Sequence, residues 1–385
     1  MTDRHLAGGL GDISRRSLLK RAGIGAGALV AGPLLAACGD SKTSTTGTAA
    51  KAAGNESPEL KALLDKITSK RVVWGQYGGT TEDARKAAFW DTFQKRTGVR
   101  VVPVDIPGNL GNDQLAGKTP AKWDAFHGSP AEALTALESG KKPLPKIPEI
   151  AYAPSLDPKY QPYNFQSFYV GYVPATLPGT FKGEGPRTWA DFFDTKKFPG
   201  KRSWPGVSYT PGTREAALMA DGVNPDELYP LDIERAHHKI KSILPDLLIY
   251  NQFPQAQSFL TSKSVSISFG PNGMWKGLAL KGVKTEILWD MVPILQPNSA
   301  NVMPDAPDMD AVLALAAWCA QPELQAEFCK RTTYGPTDDR VFDLLTAAER
   351  DALPNAPGRT VAKPDIQWLA DNEAALLDDN KKLFS

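Results

Sequence analysis

The chain has 385 residues, a length typical of two domains or one elaborated domain. Apolar residues make up 42% and charged residues 23%, which is the balance of a folded globular protein and excludes a disordered or collagen-like chain. Lys and Arg total 44 against 43 Asp and Glu, so the chain lacks the charge excess that predicts a nucleic-acid partner.

The first 37 residues have the features of an export signal. Arg15 and Arg16 precede a charge-free stretch over 22–37 that is rich in Gly and Ala, a pattern that resembles the twin-arginine signal. This stretch contains Pro33 and is shorter than the roughly 20 apolar residues that a membrane-spanning helix needs. The sequence therefore predicts a cleaved signal peptide over 1–37 rather than a transmembrane helix.

The leader ends at a lipidation motif. Leu35-Ala36-Ala37-Cys38 resembles the bacterial lipoprotein box, in which the cysteine is acylated and becomes the first residue. Polar residues follow, so 38–57 is predicted to be a flexible linker. Because no second apolar run of spanning length follows, we expect the lipid to tether the folded part to the outer face of the cell membrane, in the periplasm or outside the cell.

Strand and helix patterns alternate from residue 58 onward. Apolar residues predict a strand over 71–74, a helix over 80–96 and a strand over 99–105, and such a β-α-β unit favours a parallel sheet. The pattern recurs with a strand over 123–127 and a helix over 130–139 that Gly140 ends. Later predicted elements are a helix over 232–244, a strand over 265–269 and helices over 309–320 and 322–331. The folded part is therefore predicted to be α/β.

Residues that could support catalysis or metal binding form no recognisable motif. His237 and His238 are adjacent on a predicted helix and point about 100° apart, so they cannot share a metal ion and are expected to be solvated. Ser129 follows a strand but lies outside any Gly-x-Ser-x-Gly elbow. We therefore expect no enzymatic activity, no cofactor and no metal.

Cys319 and Cys329 are left over once Cys38 is used by the anchor. An even pair in an oxidising compartment is compatible with a disulfide. Both residues also lie in Ala- and Leu-rich helical sequence, where buried free thiols are common. The sequence leaves both alternatives open.

A series of short motifs runs through the chain in a fixed order. It begins with the run from Val73 to Ala84 and with Thr97-Gly98-Val99. The later motifs are Gly128-Ser129-Pro130-Ala131-Glu132, Val170-Gly171-Tyr172, Thr188 to Phe193, Lys197 to Arg202, Ala220 to Val223, Leu228 to Asp232 and Tyr334 to Thr337. Together, and behind a lipoprotein leader, they resemble bacterial ABC-transporter solute-binding proteins of the spermidine/putrescine type over roughly residues 70–380.

The resemblance implies a two-lobed periplasmic-binding-protein-like fold of type II, with hinged lobes that close on a ligand in the cleft between them. The first lobe would comprise 70–172 plus 299–335, and the second 173–298 plus 336–385. A monomer of this kind binds a small molecule and delivers it to the permease subunits of an ABC importer. A lipid-anchored sensor or docking protein with the same fold is the alternative.

The resemblance also implies a set of ligand-binding residues. They are Tyr77, Thr81, Ser129, Glu215, Asn272 and Ser299. Segments 77–81 and 128–129 are also selected independently, because ligands of α/β proteins bind at the carboxyl ends of parallel strands. For Glu215, an ordinary first-turn acid favoured by the helix dipole is the alternative interpretation.

The predicted site differs from that of polyamine binders, which need several carboxylates and aromatic rings around a cation. Gly212 and Ser299 stand where the family has acids, and Pro271 where it has a tryptophan. These changes argue against a long triamine. Three ligand classes stay open: a small monoamine or zwitterion, an organic anion held by helix N-termini, and a polyamine.

Overall fold

The computed structural model describes residues 56–384 except for 77–79, 107–109, 121 and 207–211. Four residues singled out from the sequence, Arg15, Arg16, Cys38 and Tyr77, lie outside the described residues. All described residues belong to one compact unit. Within them, no helix is both long enough and apolar enough to cross a membrane.

One mixed sheet of ten strands organises the fold, and its main path has the order β2-β1-β3-β9-β4-β7-β5-β6. The strands are β1 (Arg71–Gln76), β2 (Arg100–Asp105), β3 (Ala125–Gly128), β4 (Phe165–Thr176), β5 (Arg202–Pro205), β6 (Leu247–Tyr250), β7 (Ile267–Pro271), β8 (Glu286–Ile287), β9 (Ile294–Val302) and β10 (Gly335–Pro336). Strands β1, β2 and β3 pair in parallel, which confirms the predicted β-α-β unit. Strands β5, β6 and β7 form a second parallel group.

Two long antiparallel strands join these parallel groups. The start of β9 pairs with β4, where Ile294 lies opposite Tyr172, and its end pairs with β3, where Ser299 lies opposite Gly128. The far end of β4 pairs with β7, where Tyr172 lies opposite Pro271. Strand β10 pairs with the middle of β4. The chain therefore passes between the two parallel groups through β4 and β9, side by side at Tyr172.

Helices cover the sheet and connect its strands. They are α1 (Pro58–Leu64), α2 (Thr80–Arg85), α3 (Asp91–Thr97), α4 (Leu110–Leu115), α5 (Pro130–Ser139), α6 (Trp189–Phe193), α7 (Thr213–Ala220), α8 (Ile233–Lys241), α9 (Phe253–Thr261), α10 (Asn272–Leu280), α11 (Met309–Cys319), α12 (Pro322–Thr332), α13 (Ala347–Asp351) and α14 (Ile366–Phe384). Short 3₁₀ turns lie at Glu149–Ala151, Gln161–Tyr163, Pro225–Glu227, Leu244–Asp246 and Asp339–Leu344.

Local sequence explains where several helices begin and end. The Ser129 hydroxyl caps α5 by accepting a hydrogen bond from the Ala131 amide at 3.2 Å, and Gly140 ends the helix with φ 61°. The helix predicted over 80–96 is present, but a π-helical turn at Lys86–Trp90 separates α2 from α3. This turn directs Ala88, Phe89 and Trp90 into the core.

Both described cysteines are buried and carry free thiols. Burial raises the pKa of Cys319 far above its usual range and raises that of Cys329 to about 12. The structure thus has the buried-thiol arrangement that the sequence left open beside a disulfide.

The chain after β10 contacts both halves of the fold. Val341, Phe342 and Leu345 pack against Ala326 and Cys329 of α12, which belongs to the segment assigned to the first lobe. Further on, α14 packs on α5, in the segment assigned to the first lobe, while its last turns reach α7 and α8, in the segment assigned to the second. The assignment of 336–385 to the second lobe stays a prediction.

Candidate ligand-binding site

The carboxyl ends of the two parallel groups point to the same region of the fold. Helix α5 starts directly after β3, and α7 is the first helix after β5. Tyr172, on the joining strand β4, lies close to the start of α7, because a Cβ atom on Gly212 would be 3.1 Å from the Cβ of Tyr172. This is where α/β proteins bind ligands, since free backbone groups and loops meet there.

A cavity of about 340 Å³ lies beside Tyr172. Its size suits a small organic ligand. It is lined by the start of α5, by the joining strands and by α14. The lining residues are Asn112, Ala116, Lys118, Ser129, Ala131, Glu132, Thr135, Ala136, Ser139, Tyr172, Gln296, Asn298, Ile366, Leu369, Ala370, Glu373 and Leu376. We refer to this space as the cleft cavity.

Ser129 is the predicted site residue that lines the cleft cavity. Its hydroxyl caps α5 and also contacts the carboxylate of Glu132, three residues further on. Glu132 lines the cavity as well, and in the described part of the chain it forms no ion pair. The first turn of α5 therefore presents a carboxylate, a hydroxyl and a helix N-terminus to one cavity.

Arg214 lies immediately behind the cavity wall, at the start of α7. Its side chain is buried, with 1% of the residue exposed. One terminal nitrogen, Nη2, donates to the Leu376 carbonyl at 3.0 Å and to the Asn380 amide oxygen at 3.0 Å, and lies 3.2 Å from the Asp379 carboxylate. The other two guanidinium nitrogens, Nε and Nη1, are buried and make no hydrogen bond to any residue that the structure describes. Burial lowers the pKa of Arg214, and Asp379 opposes that shift.

Glu215 is buried beside Tyr229. The residue is 1% exposed, and its Oε1 atom accepts a hydrogen bond from the Tyr229 hydroxyl at 2.6 Å. Oε2 is buried and makes no hydrogen bond within the described segments. Burial raises the pKa of this carboxyl, and the hydrogen bond from Tyr229 acts in the opposite direction. Its proposed role in ligand binding stays a prediction.

The remaining predicted site residues hold parts of the fold together. The Asn272 side chain accepts a hydrogen bond from the Gly171 amide at 3.0 Å and donates to the Thr333 carbonyl. The Ser299 hydroxyl donates to Asn164 at 2.6 Å, and both residues are fully buried. Thr81 hydrogen-bonds with the buried hydroxyl of Tyr334. The structure thus brings Ser129 to the cavity and places these three in contacts within the fold.

Two histidines differ from each other in their surroundings. His238 is exposed, as expected from the sequence. For His237 the expectation of a solvated residue is wrong, because its side chain is 14% exposed and its Nε2 lies 2.9 Å from the Asp379 carboxylate. In the described segments, no three His, Cys, Asp or Glu side chains are arranged to hold a metal ion.

Arg214 was not singled out from the sequence, although it lies in the Thr213-Arg214-Glu215 motif that drew attention to Glu215. The sequence feature that could have identified Arg214 is its position, because the helix dipole disfavours a cation in the first turn of a helix. Such a position suggests a nearby anion. The partner that the structure supplies, Asp379, is remote in sequence and carries no local signal.

Comparisons with known proteins identify the family. The bacterial extracellular solute-binding protein family matches residues 88–358. The gamma-aminobutyric acid (GABA)-binding protein of Pseudomonas aeruginosa is 27% identical over 310 residues, which cover 77% of this chain and 85% of that protein.

Solved structures agree with this result. A GABA receptor is 29% identical with a TM-score of 0.72, covering 82% of this chain and 98% of the receptor. An ABC transporter substrate-binding protein from Bradyrhizobium japonicum is 25% identical with a TM-score of 0.73, covering 82% of this chain and all of that one. The expected two-lobed α/β fold is confirmed, whereas the spermidine/putrescine type is not. The chain belongs to the bacterial extracellular solute-binding protein family and is the solute-capturing component of an ABC importer.

Proposed function

We propose that the captured solute is a small zwitterion with an amine at one end and a carboxylate at the other. The observation that carries this proposal is a carboxylate, Glu132, that lines the cleft cavity, together with a guanidinium, Arg214, that bonds to Leu376 of the cavity wall. Glu132 stands at the start of α5 after β3, and Arg214 at the start of α7 after β5. A ligand that bridges the two helices would meet an acid at one end and a guanidinium at the other.

The amine end has a suitable partner in Glu132. An ammonium ion in a partly dry cavity needs a carboxylate or an aromatic face. Glu132 lines the cavity without an ion pair to any described residue, and the ring of Tyr172 lines the same space. This arrangement supports one ammonium group at the α5 side.

The carboxylate end has a suitable partner in Arg214. A guanidinium can hold a carboxylate through two parallel hydrogen bonds from Nε and Nη2, and Nε of this side chain makes no hydrogen bond to a described residue. The N-terminus of α7 adds backbone N–H groups and a favourable dipole. A buried guanidinium with unused donors is costly unless an anion is supplied.

The similar proteins support the same ligand class. Two of them are named for GABA, which carries an amine and a carboxylate. Against a polyamine, Gly212 and Ser299 replace two of the acids expected from the spermidine/putrescine type. An organic anion would leave the Glu132 carboxylate without a partner.

The anchor is proposed from the leader alone. Arg15 and Arg16 would direct export by the twin-arginine route, and a lipid on Cys38 would hold the protein at the membrane beside its permease. A monomer is sufficient for this role.

Calorimetric titration of the purified protein with amines, ω-amino acids and organic anions tests the ligand. We expect GABA-like ω-amino acids to bind more tightly than diamines or dicarboxylates of the same length. Glu132→Gln and Arg214→Gln should each weaken binding by about 2–5 kcal/mol, more than tenfold, because each leaves a buried ligand charge unpaired.

Two exposed residues on α8 offer matched controls. Glu234→Gln repeats the first-turn acid-to-amide change, and Arg235→Gln repeats the loss of a guanidinium, both outside the cleft cavity. Their affinities should equal that of the unmodified protein. Preferential binding of a diamine, or full affinity in both cleft variants, would contradict the proposed ligand class.

A further inference from the structure

The C-terminal helix α14 begins beyond the part of the chain that the family match covers. The match ends at residue 358, and α14 spans Ile366–Phe384. Nevertheless, this helix lies against the region where the family's fold binds ligands. Leu369, Glu373 and Leu376 form one wall of the cleft cavity, opposite the first turns of α5.

The last turns of α14 supply acceptors to Arg214. A backbone carbonyl, the Asn380 amide oxygen and the Asp379 carboxylate all lie within 3.2 Å of Nη2. Asp379 also contacts His237 of α8. A carboxylate beside a buried guanidinium is the same chemical arrangement that we propose for the ligand, so α14 occupies the anion-binding end of the site with its own acid.

The docking of α14 rests on few buried side chains. Of its 19 residues, Leu376, Asn380 and Leu383 are buried. The helix also places Glu373 in the lining of the cleft cavity with Glu132, and burial, with a smaller effect of Glu132, raises the pKa of Glu373. A segment with few fully buried side chains opens at lower free energy than the core.

We propose that α14 is an autoinhibitory plug: Asp379 and Asn380 occupy Arg214, and the solute must displace them to bind. This inference rests on the proposed function. Since only the fraction of molecules with an undocked helix is competent to bind, the plug lowers the apparent affinity by that fraction. The first turn of α14, where Gln367 donates to Glu138 at 2.9 Å, would keep the helix nearby after displacement.

The test compares GABA binding by three forms of the full chain in calorimetry. The double variant Asp379→Asn with Asn380→Ala weakens the contacts of α14 with Arg214 and leaves Arg214 itself unchanged. It should bind GABA about threefold or more tightly than the unmodified protein. Asp378→Asn is the control, because this acid lies on the same helix, is exposed and pairs with Lys382. Its affinity should be unchanged.

Hydrogen exchange provides a second measurement that does not depend on the double variant. In the unmodified protein, amides of α14 should exchange faster after GABA is added, since the helix leaves the cavity. Slower exchange of α14, or weaker binding by the double variant, would show that α14 is a wall of the closed site and would overturn the plug.

The outcomes separate the two proposals. Equal GABA affinity in all three forms would refute the plug and leave the proposed ligand intact. Binding by the double variant alone would support both. If no form binds GABA or any other ω-amino acid, the proposed ligand class fails, and the plug fails with it.

Discussion

Tyr229→Phe should destabilise the protein in a pH-dependent manner. The Tyr229 hydroxyl donates to the buried Glu215 carboxylate at 2.6 Å, and the second carboxylate oxygen makes no hydrogen bond to the residues that the structure describes. Phenylalanine fills the same space without the donor. The variant therefore removes a side-chain donor from a carboxylate whose residue is 1% exposed.

The magnitude follows from the charge on Glu215. A hydrogen bond to an ionised group contributes about 1.5–3 kcal/mol, which is the expected loss when Glu215 is charged. Burial raises the pKa of Glu215 in the folded state, and the Tyr229 hydrogen bond partly lowers it. Removing that bond raises the folded-state pKa further.

The sign of the pH dependence is fixed by this shift. A carboxyl whose folded pKa is raised contributes stability that is fully present below its unfolded pKa and lost as pH rises through the folded pKa. Ionisation of Glu215 therefore lowers the unfolding free energy of the variant more than that of the unmodified protein. Its deficit in unfolding free energy should therefore be larger at about pH 8 than at about pH 4, where the carboxyl is protonated to a greater extent.

Urea unfolding at both pH values measures the deficit. Tyr152→Phe serves as the control, because Tyr152 is half-buried and lies outside the Glu215 pair. A Tyr229→Phe deficit that is the same at both pH values, or smaller than that of the control, would refute the assignment of this hydrogen bond to a buried charged group.

Four further predictions concern separate residues. Glu215→Gln should weaken an amine ligand by about 2–5 kcal/mol in calorimetry if this residue contacts the ligand, whereas nearly unchanged binding with a loss of about 0.3–1 kcal/mol in unfolding free energy would favour the helix-dipole interpretation. Asp124→Ala should lower the unfolding free energy by about 2–4 kcal/mol in urea, because its buried carboxylate accepts from two backbone amides at 2.7 and 2.8 Å. In a Cys38→Ser background, Cys319 and Cys329 should react with a thiol reagent after unfolding without reductant and resist it when folded; the absence of reaction after unfolding would reveal a disulfide. Cys38→Ser itself should move the protein from the membrane fraction to the soluble fraction, and retention in the membrane would contradict the predicted anchor.

The sequence by itself determined the elements whose signals are local. Helix α5 runs from Pro130 to Ser139 as predicted, because Ser129 caps one end and Gly140 adopts the left-handed conformation at the other. The parallel β1–β2 pairing also followed from local pattern, since a strand–helix–strand unit of this length closes in one way. The ordered motifs were sufficient to identify the chain as a bacterial solute-binding protein, although not to identify its type.

Features that depend on contacts with remote parts of the chain were predicted less well. The strand predicted over 265–269 lies at Ile267–Pro271, because pairing with β4 sets its register. Asn272 and Ser299 were expected at the ligand, but neighbouring strands and loops engage their side chains in buried hydrogen bonds. Nothing in the residue itself distinguishes a polar group that binds a ligand from one that satisfies the fold.

The arrangement around Arg214 was decided by the tertiary structure alone. Asp379 lies near the end of the chain in an amphipathic helix, where the sequence pattern predicts an ordinary surface carboxylate. Contact between the two residues requires the joining strands to bring α7 and α14 together. A sequence pattern indicates which side chains share one face of a helix or strand. The partner of a buried charged side chain depends instead on which remote element packs against that face.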